Sequence, residues 1–277
     1  MWAVAEMRIR LNGKDYETQA ESLHALCREL GLEREDRVVI LDGYQSDEDL
    51  PLHRGAVVAV IEKGTLPPED CLEELLCARH TPGVHEKVKK ARVAVAGLGG
   101  LGSNIALSLA RTGVGTLHLV DFDVVEPSNL NRQQYRISHL GLAKAEALKQ
   151  EIAEVNPFVR VEAETLRVTE ENAPALFKED PIVCEAFDNP EAKAMLVNTL
   201  LTQCPEKTLV AASGMAGYGS GNRIKTRRVM GNFYLCGDEE TEAQTGCGLM
   251  APRVAICAGH QANAVLRAIL GKKDVEG

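Results

Sequence analysis

The 277-residue sequence lacks an excess of basic residues, a long apolar run and an export leader. Lys and Arg number 31 against 40 Asp and Glu, which gives a net charge of −9. Neutralising the phosphates of a nucleic acid needs a basic surface, so we expect no nucleic-acid partner. No apolar run approaches the roughly 20 residues that span a bilayer, and no leader with a small-residue cleavage site is present. We therefore expect a cytoplasmic protein without a membrane partner.

Cysteine is present, but never in the close pairs that build many structural zinc sites. The eight cysteines include no C-x-x-C pair, so we do not expect a zinc site made from two such pairs. Without an export signal, reduced thiols are the default state. One other zinc set stays open, because the fold can bring four residues of the C-terminal region together: Cys236, Cys247, Cys257 and His260.

The overall composition is that of an ordinary soluble globular protein. Hydrophobic residues make up 45% of the chain and charged residues 26%. A chain of this length forms one large domain or two unequal ones, each with its own core.

The stretch 91–123 predicts a strand, a tight turn, a helix and a second strand. The apolar run 92–96 ends in the hexapeptide 97–102, whose glycines allow the backbone to approach a phosphate while N–H groups of the next helix point at it. The next apolar run, 116–120, delivers Asp121 where an acid can hold ribose hydroxyls. The glycines of the turn are Gly97, Gly99, Gly100 and Gly102.

This glycine pattern alone does not identify the nucleotide. Its commonest meaning is a dinucleotide-binding dehydrogenase, which favours NAD or FAD, and a simple packing turn between strand and helix is the other interpretation. The decision depends on the rest of the chain.

The first 64 residues predict a small α+β roll. Alternating apolar and polar residues flank Asn12-Gly13, a dipeptide typical of a type I′ hairpin turn. A helix follows over 22–30, with Ser22 as its cap and Gly31 as its stop. Two apolar runs, 37–41 and 56–61, complete the order strand, strand, helix, strand, strand.

This unit resembles the ThiS sulfur carriers, which are related to ubiquitin. The resemblance covers 7–64 and rests on LNGK, LxxLCRELGL and RGAVVAVIEKG. A working carrier ends in a free Gly-Gly carboxylate, whereas here the chain continues through Gly64-Thr65. The segment is therefore either a built-in docking or regulatory module, or a relic that only packs. It defines a predicted ThiS-like domain over 1–64.

A linker and the start of a helix are predicted over 65–78, followed by a large domain over 79–277. Pro67-Pro68 marks the linker, and 71–80 has the pattern of a short helix that carries Arg79. Arg79 is either a surface cation or a residue with the specific role described below.

The crossover after Asp121 contains an unusual number of polar residues between one strand and the next helix. A dehydrogenase does not need them, whereas Arg and Lys suit the extra negative charge of a triphosphate. Taken singly, each is equally well explained as a solvated loop residue. They are Asp123, Asn129, Arg132, Gln133 and Lys144.

The same region resembles the ThiF and MoeB adenylyltransferases of the ubiquitin-activating superfamily. GxGGLG, DxDxVxxSNLxRQ and GxxK all occur in order, and the resemblance runs from about residue 79 to the C-terminus. It implies a Rossmann-like α/β domain with a mixed sheet that binds ATP over the glycine turn. Asp121 and Asp123 are then expected on the nucleotide, Asn129, Arg132 and Lys144 on the phosphates, and Gln133 in support of the loop.

A magnesium ligand is implied at the end of the apolar run 181–187. The family carries an acid-Asn pair there, which assigns Mg²⁺ to Asp188 beside Asn189. A structural interpretation, compatible with the first, is that Asp188 caps the helix that starts at Pro190. The preceding 185–187, Glu-Ala-Phe, differ from the Cys-Thr step common in the family.

The remaining chain predicts a strand over 208–213, an antiparallel extension of the sheet over 214–235, an irregular loop over 236–248 and a helix over 250–270. Cys247 lies between this loop and the helix, whose N-terminus favours a nucleophilic thiolate. In family members that transfer sulfur, the matching cysteine is implicated in a disulfide or persulfide link to the carrier. Other members work without it, so both interpretations of Cys247 stay open.

The resemblance therefore implies ATP-dependent adenylation of the C-terminal glycine of a separate sulfur carrier, with release of pyrophosphate, as a step towards thiamine or a related product. A sulfur donor such as a cysteine desulfurase is the implied second partner. The implied homodimer places Arg79 on the partner subunit's triphosphate. The alternatives are an NAD-linked oxidoreductase and a non-enzymatic scaffold whose fused domain occupies the site.

Overall fold

The computed structural model describes residues 6–32 and 37–275 and divides into two compact units, Met1–Glu86 and Lys87–Gly277. Residues 1–5 of the predicted ThiS-like domain lie outside the described ranges. Among the described helices, none has the length and apolar character needed to cross a membrane.

The described part of the first unit contains a five-stranded sheet in the order β2-β1-β5-β3-β4. The neighbours β1 and β5 are parallel, and the other pairs are antiparallel. This is the predicted ubiquitin-like α+β roll, with one short extra strand, β4, where the sequence predicted only a turn. The elements are β1 (Met7–Leu11), β2 (Lys14–Thr18), α1 (Leu23–Glu29), β3 (Arg37–Leu41), β4 (Tyr44–Gln45) and β5 (Val57–Glu62).

Local sequence signals fix the turns of this unit. Asn12 and Gly13 both have positive φ angles, 45° and 80°, as a type I′ turn requires. The Ser22 hydroxyl accepts a hydrogen bond from the N–H of Ala25, and Gly31 follows the end of α1 with φ of 65°. The predicted hairpin, cap and stop are all confirmed. The core beneath the sheet is aliphatic and includes Ile9, Leu23, Leu26, Val58 and Val60.

Two short helices follow β5. They are α2 (Glu69–Leu76) and α3 (His85–Val88). The first begins two residues earlier than predicted and ends four residues earlier, so Arg79 lies after the helix that was predicted to carry it. Pro68 directly precedes α2, where its fixed φ suits the entry into a helix.

The second unit is built on a seven-stranded sheet in the order β11-β12-β10-β9-β6-β7-β8. Six of these strands are parallel, and only β11 is antiparallel to its neighbour. The mixed Rossmann-like sheet is therefore confirmed. Its strands are β6 (Arg92–Ala96), β7 (Thr116–Val120), β8 (Arg160–Glu164), β9 (Ile182–Glu185), β10 (Thr208–Ala212), β11 (Lys225–Met230) and β12 (Phe233–Gly237).

The predicted antiparallel extension of this sheet is right for β11 and wrong for β12. β12 is the second strand of the β11–β12 hairpin. It lies between β11 and β10 and is parallel to β10. For the same reason Cys236 lies in a buried strand and not in the predicted loop, which begins after Gly237.

Helices cover the sheet. The predicted helix over 250–270 is confirmed as α8 (Ala251–Ile269). Its apolar face packs on α4 (Gly100–Thr112) and on the sheet. On the other side, Phe177, Leu196 and Leu200 pack against β6 and β9. The helices are α4 (Gly100–Thr112), α5 (Lys144–Val155), α6 (Ala173–Leu176), α7 (Pro190–Gln203) and α8 (Ala251–Ile269).

Candidate functional site

A cavity of about 1180 Å³ opens where the parallel strands of the second unit end. This is the edge at which open α/β sheets bind ligands. Ten of the predicted site residues line it: Gly97, Gly99, Gly100, Asp121, Asp123, Asn129, Arg132, Gln133, Lys144 and Asp188. Gly102 and Cys247 are not among its lining residues, and Arg79 belongs to the first unit.

The predicted glycine turn joins β6 to α4 and leaves no room for side chains at two positions. Gly97 has φ of 86°, and a Cβ there would lie 2.9 Å from the backbone carbonyl of Ala186. A Cβ on Gly102 would lie 1.8 Å from the oxygen of Gly97. Gly102 thus serves close packing between helix and turn rather than contact with a ligand, while Gly97 and Gly99 line the cavity floor.

Asp121 uses its carboxylate to shape this turn. One oxygen accepts a 2.6 Å hydrogen bond from the N–H of Leu98, and the other accepts a 2.8 Å bond from the N–H of Asp123. The residue is 8% exposed and lines the cavity. Because an ionised carboxylate has about four acceptor positions, these bonds are compatible with the predicted contact to ribose hydroxyls.

Three residues outside the sequence prediction hold the polar crossover against the glycine turn. The Tyr135 hydroxyl donates to the carbonyl of Leu98 at 2.8 Å. Burial raises the pKa of Tyr135 far above its usual value, and the charge of Asp121 acts in the same direction. The Ser103 hydroxyl accepts a 3.1 Å hydrogen bond from the N–H of Gln134, and Asn104 donates to the carbonyl of Arg132. A pattern search misses them because each bond joins segments far apart in sequence.

Two residues that line the cavity, Arg132 and Gln133, each have a buried side-chain atom without a hydrogen-bond partner among the described residues. Arg132 donates through Nη1 to the carbonyl of Ser128 and to the side chain of Asn131. Among the described residues, none hydrogen-bonds to its Nε or to Oε1 of Gln133. A buried polar atom without a partner is costly. The arrangement therefore suits a ligand that supplies an anionic acceptor to Arg132 and a donor to Gln133.

Asn129 and Lys144 are held by the same crossover. The side-chain oxygen of Asn129 accepts from the N–H of Glu126 at 3.0 Å, which leaves its amide nitrogen as the group for a ligand. Lys144, the first residue of α5, is buried and forms a 3.0 Å ion pair with Asp123. Asp123 thus lines the cavity as the ion-pair partner of Lys144. A bound anion would compete with Asp123 for the Lys144 ammonium group.

The structure contradicts the capping interpretation of Asp188. The N-cap of α7 is Asn189, whose Oδ1 accepts a 2.9 Å hydrogen bond from the N–H of Ala192. Asp188 is exposed at the cavity wall, and none of the described residues donates a hydrogen bond to it. A carboxylate oxygen in this state fits the hard oxygen ligands that Mg²⁺ prefers.

The unusual Glu185 supports the turn that carries Asp188. It is fully buried, and its Oε1 accepts from the N–H of Phe187 at 2.7 Å and from Lys193 at 3.0 Å. Burial raises the pKa of Glu185, and the nearby Lys193 ammonium opposes this shift. Lys193 also lines the cavity, so this buried pair brings a second ammonium group to the site.

A loop from Glu239 to Ala243 closes another side of the cavity and is anchored by a buried ion pair. Asp238 pairs with Arg253 of α8, whose Nη1 also donates to the carbonyl of Ala216. Burial raises the pKa of Asp238, but hydrogen bonds from the N–H groups of Thr241 and Glu240 and from Arg253 outweigh it and lower the pKa to about 2.

Cys247 lies away from the cavity lining in a tight turn. It exchanges two backbone hydrogen bonds with Gln244, of 2.8 and 2.9 Å, and its thiol is free and partly buried. The alternative zinc set of the sequence analysis does not form. No three of Cys236, Cys247, Cys257 and His260 bring their ligand atoms within 4.8 Å of one another, and all four belong to the described residues.

Comparison with known proteins identifies two families along the chain. The ThiF family model matches residues 74–276, and the ThiS-like ubiquitin model matches residues 7–64. The chain is 31% identical over 192 residues to the adenylyltransferase and sulfurtransferase UBA4 of Candida glabrata, covering 67% of this chain and 44% of that protein. It is 43% identical over 105 residues to the probable adenylyltransferase/sulfurtransferase MoeZ of Mycobacterium tuberculosis, covering 38% and 27%.

The chain thus spans less than half the length of these curated relatives. Among solved structures, the E. coli tRNA N6-threonylcarbamoyladenosine dehydratase TcdA, in complex with ATP, has a TM-score of 0.66 at 22% identity. That alignment covers 75% of this chain and 98% of TcdA, and it shows a shared fold. The chain belongs to the ThiF family, and residues 7–64 form a ThiS-like ubiquitin domain that precedes it.

Proposed function

We propose that the second unit binds ATP in the cavity and adenylates the C-terminal carboxylate of a separate ThiS-like carrier that ends in Gly-Gly. The observation that carries this proposal is the group of cations that line the cavity with the glycine turn, one of which has a buried, unsatisfied N–H donor. Arg132, Lys144 and Lys193 all line the cavity, and the Nε of Arg132 has no partner within the described chain. The names of the relatives, adenylyltransferase and sulfurtransferase, support the same reaction class.

The chemistry needs positioning and charge neutralisation rather than a side-chain nucleophile. A carboxylate oxygen of the carrier attacks the α-phosphorus, a new P–O bond forms, and the bond to the β-phosphate bridging oxygen breaks. The products are an acyl-adenylate and pyrophosphate. Negative charge moves onto the leaving pyrophosphate, which Arg132 and Lys144 would stabilise. Asn129 offers its amide nitrogen, and Asp121 and the glycine turn hold the nucleoside end.

Asp188 would hold Mg²⁺ at this site. Its exposed carboxylate and the use of Asn189 as the helix cap fit that role. When bound, the ion neutralises phosphate charge.

Further parts of the proposal concern assembly and the fate of the adenylate. A homodimer would bring Arg79 of one subunit to the triphosphate of the other. A sulfur donor such as a cysteine desulfurase would supply sulfur for a carrier thiocarboxylate in thiamine or related biosynthesis. Cys247 would act in that later step, since it lies outside the cavity lining. Gly102 contributes by packing the turn and not by touching the nucleotide.

The test is exchange of labelled pyrophosphate into ATP by the full chain, with and without a ThiS-like carrier ending in Gly-Gly. We expect exchange that depends on the carrier and falls when Arg132 or Asp188 is changed to Ala. Tight ATP binding without exchange for any carrier would contradict the proposal. Exchange gained on removal of 1–64 would favour the self-occupied scaffold, and a melting shift with NAD but not ATP would favour an oxidoreductase.

A further inference from the structure

Three side chains of metal-binding type meet in the first unit. Cys77 follows the last residue of α2, His80 lies in the connection, and His85 begins α3. Their ligand atoms all lie within 4.8 Å of one another. Among the described residues, this is the one group of three or more such side chains that comes together in this way. The group has C-x2-H-x4-H spacing.

The distance between two of the ligand atoms fits a shared tetrahedral ion. The Sγ of Cys77 lies 3.2 Å from Nδ1 of His85. Zinc bonds of about 2.3 Å to sulfur and about 2.0 Å to nitrogen, at a tetrahedral angle, place the two ligand atoms about 3.5 Å apart. A shift of a few tenths of an ångström therefore converts this contact into coordination.

The third member of the group carries an unsatisfied nitrogen. Nδ1 of His80 is buried, and no described residue hydrogen-bonds to it. An imidazole nitrogen is a common metal ligand. A metal ion would satisfy this nitrogen where the protein does not.

A carboxylate is placed to orient one of these histidines. An oxygen of Glu73, on α2, lies 3.6 Å from Nε2 of His85, the ring nitrogen opposite the one that faces Cys77. Metal-binding histidines commonly donate this second N–H to a carboxylate, which fixes the tautomer and the ring orientation. The 3.6 Å separation is longer than a hydrogen bond and Nε2 of His85 has no hydrogen-bond partner among the described residues, so a small approach of the two side chains would complete the order carboxylate, histidine, metal thiolate.

We propose that Cys77, His80 and His85 bind a divalent transition-metal ion, with Zn²⁺ as the best match to one thiolate and two imidazoles. Glu73 positions His85, and a water molecule completes the four ligands. Binding deprotonates the Cys77 thiol and releases a proton to solvent. The ion ties the end of α2 to the start of α3 across 77–85. This site uses none of the C-terminal cysteines, and Arg79, proposed above for the triphosphate of the other subunit, lies in sequence between Cys77 and His80.

The experiment uses the full chain, stripped of metal with a chelator and titrated with zinc and with cobalt(II). We expect one zinc per chain by elemental analysis, and a thiolate-to-cobalt charge-transfer band. Cys77→Ser and His85→Gln should lose stoichiometric zinc and the band. Cys71→Ser, which removes a buried cysteine of the same helix, and His53→Gln, which removes another histidine of the unit, should retain both.

A milder variant tests the carboxylate and guards against misfolding. Glu73→Gln should weaken zinc affinity by about 10- to 100-fold while keeping the cobalt band. If Cys77→Ser does not fold, the unaltered full chain still decides. Absence of stoichiometric zinc or of the cobalt band overturns the site, and so does a band that disappears in Cys71→Ser. Zinc retained at full affinity by a folded Cys77→Ser would also overturn it.

Discussion

The two ends of the seven-stranded sheet both carry charged residues, but only one end satisfies them all. At the amino ends of the strands, the buried carboxylate of Asp180 accepts from Arg92 and from His118, each at 2.7 Å. Lys207 donates to its backbone carbonyl at 2.9 Å. At the carboxyl ends, Arg132 keeps a buried Nε that no described residue satisfies.

The difference separates residues that hold the fold from residues that await a ligand. A closed set of hydrogen-bonded charges stabilises the sheet, because each buried charge has its partner. An incomplete set lowers stability by itself and gains its partner on binding. Four predictions test whether this contrast holds, and they run from the largest expected effect to the smallest.

We call the amino ends of the strands, where these buried charges are paired, the closed end of the sheet. Disrupting it should cost the most stability. Asp180→Asn leaves Arg92 and His118 without their buried counter-charge, so we expect a loss of about 3–5 kcal/mol in the free energy of unfolding by urea titration. The matched control is Glu162→Gln, which removes the other, more exposed carboxylate on Arg92. It should cost about 1 kcal/mol or less. Equal losses in the two variants would contradict the contrast.

We call the carboxyl ends of the strands, where Arg132 keeps an unsatisfied nitrogen, the open end of the sheet. A substitution there should reduce activity and leave stability nearly unchanged. Arg132→Ala deletes the cation that we propose stabilises the leaving pyrophosphate, so we expect pyrophosphate exchange to fall about 10²- to 10³-fold, or about 2.7–4 kcal/mol. Urea unfolding should change little, because no described residue forms an ion pair with Arg132. Arg136→Ala, which removes a more exposed arginine paired with Glu151, is the control and should keep its exchange rate.

Substitutions at the neighbours Asp188 and Asn189 should affect different properties, activity at Asp188 and stability at Asn189. Asn189→Ala removes the cap of α7 and should cost about 1 kcal/mol of stability with little loss of exchange per folded molecule. Asp188→Asn should leave the free energy of unfolding nearly unchanged and abolish magnesium-dependent exchange. A stability loss in Asp188→Asn comparable to that in Asn189→Ala would show that Asp188 has a structural role as well.

The smallest expected effect is a pH dependence at the closed end. Burial lowers the pKa of His118, but Asp180 and Glu164 outweigh it and the net pKa is raised above 6.5. The folded protein therefore binds this proton more tightly than the unfolded chain does. Its contribution is fully present below pH 6.5 and is lost as the pH rises through the raised pKa. Urea titrations of the protein and of His118→Gln on both sides of pH 6.5 should show the two stabilities converging at higher pH.

The sequence was sufficient wherever structure is set by near neighbours in the chain. The glycine turn, the Asn12-Gly13 hairpin and the Ser22 cap depend on backbone angles and on side chains within three residues, and all three are confirmed. The ten cavity-lining residues were found because they follow strand ends or lie in the motif-rich crossover. Their roles in binding and catalysis stay predictions.

What sequence reasoning missed depends on contacts between distant segments. The parallel direction of β12 follows from where its hairpin docks, which alternation of apolar residues does not encode. The bond from Tyr135 to Leu98 spans 37 positions. The metal-type group of Cys77, His80 and His85 crosses the end of a helix, so helical periodicity does not reveal it. Asp188 was misjudged as a possible cap because Asp and Asn cap helices about equally well.

Because Asp and Asn cap helices about equally well, the order of Asp188 and Asn189 decides which of the two side chains caps α7 and which is left without a hydrogen bond. Exchanging the two side chains keeps the net charge, the molecular mass and a competent cap on α7. It also moves the only carboxylate of the pair one position along the chain, where it becomes occupied by the N–H of Ala192. The exchanged protein would be an isomer of the natural one, folded alike but with its acid engaged as the helix cap, while an amide takes the uncommitted position at the cavity wall.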